Sequence, residues 1–306
     1  MYVIEGAPAA RNAIVDQCDA ACTRAWIIKC PVYPSHVIIL SPADDPRGAD
    51  DKVLRAVRAA CPSAAIGAGD AVALRDTAVG YTQAYHALAV ARQRADHFAR
   101  FTAAEDLAAV LGPGAQQWAK QVLSPLLEHV PARRQDPDGQ DLCATLRSWL
   151  NFRGASWRQL KIHRNTLAER LRHIEAIQGC DLSRLPVQAE LYLALQLLHR
   201  PGDDQAAPPQ EGLAGLLASP QAREWAKMML DPLAEDQVLL DTVRAWLEAD
   251  TQPEATAVAL SVSARGVRRR LERAEERLGR SLTGGPSARY DVLLAMCICG
   301  CYAQAS

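Results

Sequence analysis

The segment "KIHRNTLAERLRHIEAIQG" at residues 161–179 decides the fold of the second half of this chain, because "SVSARGVRRRLERAEERLG" at residues 261–279 repeats its outline. The large apolar residues of the first segment recur at intervals of four and three: Leu167, Leu171 and Ile174. This spacing is typical of the buried face of an amphipathic helix. Gly179 follows, where a left-handed residue ends a helix. The pattern therefore predicts a helix over residues 164–178 with polar residues in its first turn.

The likeness between the two segments extends beyond them. "WAKQVLSPLLE" at residues 118–128 returns as "WAKMMLDPLAE" at residues 225–235, and "TLRSWL" at residues 145–150 returns as "TVRAWL" at residues 242–247. Matching leucine, arginine and glycine positions continue in the same order after these segments. So many ordered matches predict that the second half contains one helical unit twice.

We expect four parts in the chain, at residues 1–105, 106–200, 201–212 and 213–306. The second and fourth parts are the repeated units, called copy 1 and copy 2 below. The third part is a linker, because "RPGDDQAAPPQEG" at residues 200–212 is rich in proline, glycine and acidic residues.

Copy 1 has the outline of a helix-turn-helix domain. "DLCATLRSWL" is apolar at positions that share one helix face: Leu142, Leu146, Trp149 and Leu150. A short polar stretch and the helix over residues 164–178 follow. "VQAELYLALQLL" then predicts a closing apolar helix with Pro186 at its entrance. A helix, a turn and a second helix with a polar first turn define the helix-turn-helix pattern.

The first part of the chain predicts an α+β module. "WIIKC" at residues 26–30 and "SHVIIL" at residues 35–40 are short β-branched runs that indicate a hairpin. "KVLRAVRAAC" at residues 52–61 and "TAVGYTQAYHALAVARQRA" at residues 77–95 are helical, and "AAIGAGD" at residues 64–70 is a buried strand. We expect an antiparallel sheet with helices packed on one face.

Composition limits the classes of function. The chain has 306 residues, 49% hydrophobic content and a net charge of -1. This near-neutral balance gives no chain-wide attraction for nucleic acid or an anionic membrane, so any such binding requires a local excess of charge. No apolar run is long enough to span a bilayer, and the N-terminus lacks the order of a secretory signal. We expect a cytoplasmic protein without a membrane partner.

Nine cysteines are scattered through the chain, which favours reduced and mostly buried thiols over a disulfide framework. Cys18 and Cys22 share a helix face, and Cys297, Cys299 and Cys301 crowd the C-terminus. Neither group has a second half at zinc-ligand spacing. We therefore expect packed side chains, no metal site and no cofactor.

The local excess of charge lies around the tip of the first predicted recognition helix. Seven cations share a window that contains the single acid Glu169: Arg147, Arg153, Arg158, Lys161, Arg164, Arg170 and Arg172. In the first turn, Arg164 can pair with guanine and Asn165 with adenine, and Thr166 can contact a phosphate or a thymine methyl. The alternative is a solvated helix in which His163 or Asn165 acts only as an N-cap.

Copy 2 keeps the helix and changes its tip. Gly266 in the first turn weakens the helix by about 1 kcal/mol relative to alanine. We expect its arginines to be partly neutralised by acids at helical spacing: Glu272, Glu275 and Glu276. A second DNA contact by copy 2 would use the following residues: Ser263, Arg265, Arg268 and Arg269. The alternative for copy 2 is a structural role in pairing domains.

The strings "TLRSWL", "HRNTLAERLRHIEAIQGCDL" and "ELYLALQLL" closely resemble the C-terminal DNA-binding domain of PucR/CdaR-type bacterial transcriptional regulators. "YTQAYHALAVARQRADHFARFTAAEDL" resembles the end of the degenerate GGDEF-like domain of that family, and the resemblance begins at about residue 25. It implies a degenerate GGDEF-like α/β module followed by two all-α helix-turn-helix domains. Copy 1 departs from the family because only "NFRGASWRQ" separates Leu150 from Leu160, which shortens the supporting helix.

We therefore expect a sequence-specific regulator of transcription that binds double-stranded DNA as a homodimer. Base contacts are predicted for Arg164, Asn165 and Thr166 with help from His163. Backbone contacts are predicted for four cations: Arg158, Lys161, Arg170 and Arg172. The first module would sense a signal, such as a small-molecule effector, or mediate self-association. The alternative function is a diverged interaction protein that does not bind DNA and modulates another regulator by pairing with it.

An enzymatic function is not expected. Asp44 and Asp45 lie in a proline-containing loop and not in the turn that a diguanylate cyclase uses to hold metals. No P-loop, nucleophile elbow or metalloprotease helix occurs, and His86 and His97 have no nucleophile near them in the sequence.

Overall fold

The computed structural model describes residues 1–42, 46–92, 94–101, 107–112, 114–133, 136–198, 212–284 and 288–302. The chain forms two compact units, Met1–Thr102 and Ala103–Ser306. Two sequence predictions fall outside the described residues: the loop at Asp44 and Asp45, and nearly all of the linker, residues 201–211.

The first unit contains a five-stranded sheet in the order β2-β3-β1-β4-β5. Its elements in chain order are β1 (Tyr2–Glu5), α1 (Arg11–Ala21), β2 (Trp26–Lys29), β3 (His36–Leu40), α2 (Pro46–Ala60), β4 (Ala65–Ala68), α3 (Thr77–Ala91) and β5 (Phe98–Arg100). β1 is antiparallel to β3 and β4, and β2 is antiparallel to β3. The predicted hairpin is therefore confirmed. The prediction of a purely antiparallel sheet was wrong, because β5 pairs with β4 in parallel.

Helices cover both faces of this sheet, so the prediction of helices on one face was also wrong. Ile4 and Ile39 belong to an apolar cluster with residues of α1 and α2. Val3 and Ala65 belong to a second cluster with residues of α3. Successive residues of a strand point to opposite faces, so short runs of buried residues on β1 and β4 supply both cores.

A glycine allows α3 to pack directly on β4. A Cβ atom at Gly67 would collide with the backbone of Ala84 and Leu88 in α3. A larger side chain at this position would force α3 away from the sheet. The glycine in the sequence "AAIGAGD" thus marks a close helix approach.

An ion-pair group ties the start of the first unit to its later elements. Arg92 donates from Nε to Glu5 Oε2 at 2.6 Å, and His36 Nε2 lies 3.3 Å from Glu5 Oε1. The hydrogen bond to His36, together with the nearby Arg92, lowers the pKa of Glu5 to about 2 despite partial burial.

The described part of the second unit is helical. Its helices are α4 (Leu107–Val110), α5 (Ala115–Leu127), α6 (Gly139–Phe152), α7 (Ser156–Leu160), α8 (Arg164–Gln178), α9 (Leu185–Leu197), α10 (Gly212–Leu217), α11 (Pro220–Ala234), α12 (Gln237–Glu248), α13 (Pro253–Ala259), α14 (Ala264–Leu278) and α15 (Arg289–Ile298). The predicted helix over residues 164–178 is confirmed, and Gly179 ends it with a φ of 61°. The series α5 to α9 and α11 to α15 follow the same order, one in each copy.

The two copies share one hydrophobic core. A continuous cluster of buried residues contains Trp118 and Leu146 of copy 1 with Trp225 and Trp246 of copy 2. The closing helices α9 and α15 pack against each other, and the rings of Tyr192 and Tyr290 lie 4.8 Å apart. The two copies therefore belong to one compact unit.

The cysteines differ in exposure. Cys18, Cys30, Cys61 and Cys143 are buried free thiols. Cys299 and Cys301 are exposed, so the prediction that the C-terminal group forms a packed face was wrong. These two residues follow the end of α15.

Among the described residues, no helix has both the length and the apolar content needed to cross a bilayer.

Candidate nucleic-acid interface

The supporting and recognition helices of copy 1 are joined by a tight turn. α7 ends at Leu160, Lys161 adopts the left-handed conformation with a φ of 54°, and α8 begins at Arg164. Copy 2 has the same turn between α13 and α14, in which Ser261 has a φ of 54°. The shortened supporting helix predicted for copy 1 is present as the five-residue α7.

Both recognition helices have a side-chain N-cap. The Nδ1 atom of His163 accepts a hydrogen bond from the backbone N–H of Asn165 at 3.2 Å. The Oγ atom of Ser263 accepts one from the N–H of Gly266 at 3.0 Å. Capping fixes the start of each helix by satisfying an amide that has no intrahelical partner. His163 therefore caps the helix, and the Asn165 side chain remains exposed.

Trp157 of α7 holds two of the predicted DNA-binding arginines. The guanidinium carbons of Arg158 and Arg164 lie 5.1 Å and 4.9 Å from the centroid of its ring. A cation within about 6 Å of an aromatic face is attracted to it, which limits the positions that a flexible arginine visits. Both arginines are exposed. Trp157 was not among the predicted site residues, although an aromatic residue between arginines is a usable signal.

Four exposed cations lie on α8 or just before it: Arg158, Lys161 and Arg164 at its start, and Arg172 about two turns further along the helix. The structure records no ion pair between any of them and a described residue, and Asn165 is exposed beside them. Thr166 is half-buried. The tip of copy 1 is consequently a basic surface with exposed amide and guanidinium donors.

Arg170 faces the interior of copy 1, in contrast to the predicted phosphate contact. Its Nη1 atom donates to Oγ1 of Thr145 in α6 at 3.2 Å, and Thr145 donates in turn to the carbonyl of Asp141 at 2.7 Å. Arg270 makes the matching bond to Thr242 in copy 2 at 3.4 Å. The repeated arginine thus joins the recognition helix to the first helix of its domain.

Two further cations of the basic window also serve the interior. Arg153 donates to Oε1 of Gln188 at 2.6 Å and lies over the ring of Trp149. Arg147 is half-buried in α6, and this burial lowers the pKa of its guanidinium. The outward charge of copy 1 is therefore smaller than the sequence count indicates.

The recognition helix of copy 2 has three of its six arginines in ion pairs with described residues. Arg268 donates to Glu254 of α13 at 2.6 Å. Arg273 and Arg277 lie 3.4 Å and 3.8 Å from Asp236. Arg265 and Arg269 are exposed, and no ion pair with a described residue is recorded for either. Copy 2 thus offers two outward arginines at a tip without an asparagine.

The sequence predicted that Glu275 neutralises arginines of α14, but the structure places its carboxylate on backbone N–H groups. Its Oε1 atom accepts from the backbone N–H groups of Leu282 at 2.6 Å and Thr283 at 2.8 Å. Glu175 accepts from the N–H of Leu182 at 2.9 Å in copy 1. The paired glutamates therefore fix the loop after each recognition helix.

The geometry of each copy defines a helix-turn-helix domain, a class whose second helix presents its first turn to DNA. The sequence model of one protein family, the PucR C-terminal helix-turn-helix domain, matches residues 142–197 and residues 239–298. These matches show that each copy is similar to this DNA-binding domain of transcriptional regulators. Neither match includes residues of the first unit. No curated protein and no solved structure matches the chain.

Proposed function

We propose that this chain is a sequence-specific regulator of transcription in which α8 of copy 1 enters the major groove of double-stranded DNA. Arg164 and Asn165 read base edges, and Thr166 contributes a phosphate or methyl contact. Arg158, Lys161 and Arg172 hold the phosphate backbone. His163 orders the first turn as its N-cap.

The proposal rests above all on the exposed tip of α8, where cations without recorded ion pairs flank Asn165. An arginine near an aromatic ring is restrained before it meets DNA, so less conformational entropy is lost when it binds a base. Backbone amides at the same helix end attract phosphate oxygens. Charge, hydrogen-bond donors and restraint thus occur together on one surface.

Copy 2 contributes less to DNA contact in this proposal. Its remaining outward arginines, Arg265 and Arg269, can hold phosphates without reading bases. Arg268 is engaged with Glu254, and an exposed ion pair must be broken before this guanidinium can reach a phosphate. Ser263 serves the helix as its N-cap.

We further propose that the first unit is the degenerate GGDEF-like module of the regulator and that it senses a signal or supports a homodimer. Its two-faced sheet gives it a core of its own, as a separate module requires. We assign it no catalytic step and no cofactor. A small-molecule effector remains part of this proposal.

Selection from a random duplex library with the purified full chain tests the assignment. Fluorescence anisotropy then compares the selected duplex with a scrambled duplex over a range of salt concentrations. Arg164→Ala and Asn165→Ala should each lose about 1–3 kcal/mol of discrimination between the two. Arg172→Ala should weaken binding to both duplexes alike and reduce the slope of log K against log salt by about 0.9.

Arg265→Ala provides the matched control, since it removes an exposed arginine from the tip of copy 2. It should leave discrimination unchanged. Equal losses on selected and scrambled DNA for Arg164→Ala, Asn165→Ala and Arg172→Ala would contradict base reading by α8. A wild-type chain that selects no sequence and ignores DNA at low salt would instead support the interaction protein that pairs with another regulator.

A further inference from the structure

Copy 2 contacts the part of copy 1 from which the supporting helix emerges. Tyr290 in the first turn of α15 is fully buried, and its hydroxyl donates to the carbonyl of Leu150 at 3.1 Å. Leu150 lies in the last turn of α6, just before the short connection to α7. A carbonyl at a helix C-terminus has no intrahelical donor, so the tyrosine of copy 2 satisfies it.

The connection that follows contains a strained residue. Arg153 has a φ of 47° and a ψ of -124°, a backbone conformation that is costly for any residue except glycine. Its guanidinium binds Gln188, which is 1% exposed and donates through Nε2 to the carbonyl of Leu182 at 2.7 Å. The Tyr290 hydroxyl lies 3.5 Å from the same Gln188 oxygen. The strained connection before α7 is thus held by a buried polar group to which copy 2 contributes the Tyr290 hydroxyl.

A second contact from copy 2 holds the closing helix of copy 1. α9 begins without a capping side chain of its own at Arg184. Instead, Oδ1 of Asp250 accepts from the N–H of Leu185 at 2.6 Å, and Oδ2 lies 3.4 Å from Arg184 Nε. Asp250 has a φ of 48° in the turn after α12. Copy 2 therefore supplies the missing N-cap of a copy 1 helix.

These two contacts are reciprocal. The first turn of α15 contacts the last turn of α6, and the first turn of α9 contacts Asp250 in the turn that follows α12. Such an exchange between equivalent ends is the arrangement of two subunits around a two-fold axis. Here both partners belong to one chain.

We propose that copy 2 acts as an internal partner subunit and that Tyr290 and Asp250 are positioning residues for the helix-turn-helix of copy 1. Copy 1 has the shorter supporting helix and the strained entrance to it, and copy 2 holds both ends of the segment that presents α8. The consequence for DNA binding rests on the proposed function. The positioning of residues 153–163 by copy 2 is independent of the proposed function.

The test uses the full chain with Tyr290→Phe and Asp250→Gly. The first variant keeps the ring and removes the hydroxyl. The second removes the carboxylate and suits the positive φ, so that no backbone strain is added. Asp250→Asn is the rescue variant, because an amide oxygen can still cap Leu185. Arg269→Ala is the control on the exposed tip of copy 2.

Hydrogen exchange measured by mass spectrometry gives the first readout. Tyr290→Phe should raise exchange about fivefold to tenfold in residues 153–163, as expected for the loss of a hydrogen bond of about 1 kcal/mol. Asp250→Gly should raise exchange by a similar factor at the start of α9, residues 185–188. Exchange in α14 should stay as in the wild type. Asp250→Asn and Arg269→Ala should leave exchange unchanged both in residues 153–163 and in residues 185–188.

DNA affinity gives the second readout. The same two variants should weaken binding to the selected duplex by about fivefold to tenfold, with a smaller effect on a scrambled duplex. Equal exchange increases in α8 and α14, or wild-type exchange in residues 153–163, would overturn the proposal. If the wild-type chain binds no DNA, the proposed function fails, and the exchange experiment still decides whether copy 2 positions copy 1.

Discussion

Arg170 and Arg172 are two residues apart on α8, and the structure separates their roles. Arg170 donates to the buried Thr145 of α6, whereas Arg172 is exposed. A hydrogen bond from a charged donor contributes about 1.5–3 kcal/mol when buried. Because Arg170 is half-buried, we expect Arg170→Ala to lower the free energy of unfolding of the second unit by about 1–2 kcal/mol.

For a unit of this size, that loss corresponds to a decrease in Tm of about 2–8 °C. Thermal unfolding followed by tryptophan fluorescence measures it, because five of the six tryptophans lie in the second unit. Arg172→Ala is the control and should change Tm by less than about 1 °C, since exposed substitutions change stability little. Thr145→Val should lower Tm as well, and combining it with Arg170→Ala should add little.

The opposite outcome would refute this account. If Arg170→Ala kept the Tm of the wild type and reduced the salt dependence of DNA binding as Arg172→Ala does, its guanidinium would face a duplex and not Thr145.

Two further predictions concern the first unit. Gly67→Ala should destabilise it by about 3 kcal/mol or more in a urea titration, because the added Cβ collides with the backbone of α3. The control is Gly112→Ala in the second unit, where a Cβ atom has nothing within 4 Å, and it should have no comparable effect. Glu5 has a pKa lowered to about 2 from 4.5, so its contribution to stability is complete above pH 4.5 and is lost as the pH falls toward 2. Glu5→Gln should therefore flatten the decline in stability between these pH values, as measured by urea unfolding at several pH values, and an unchanged pH dependence would contradict the role of His36 and Arg92.

The helices of copy 1 could be predicted because their apolar residues follow the helical period and Gly179 marks a stop. The hairpin of β2 and β3 was predictable for a similar reason, since β-branched runs flank a turn. β5 could not be predicted, because a strand of three residues carries almost no periodicity and exists through its pairing with the distant β4. α3 on the second face of the sheet depends on Gly67, and a glycine in a strand indicates a close approach without naming the partner.

For the candidate site, the sequence identified the basic region and overcounted the cations that face outward. Arg170 and Arg172 are chemically equal in a sequence, and the inward direction of Arg170 depends on Thr145 in another helix. The repeat itself contained the missing signal. Arg170 and Thr145 recur as Arg270 and Thr242, whereas the tip residues change between the copies. A polar pair kept in both copies indicates an interior contact.

The continuous core of the second unit also limits how this chain can be shortened. A truncation that removed copy 2 would expose the apolar face of α9 to water, together with the uncapped start of that helix. Such an exposed apolar surface promotes aggregation, although every residue of α8 would still be present. Gene fragments that end near residue 200 should therefore yield aggregated protein, even though they encode the complete predicted recognition helix.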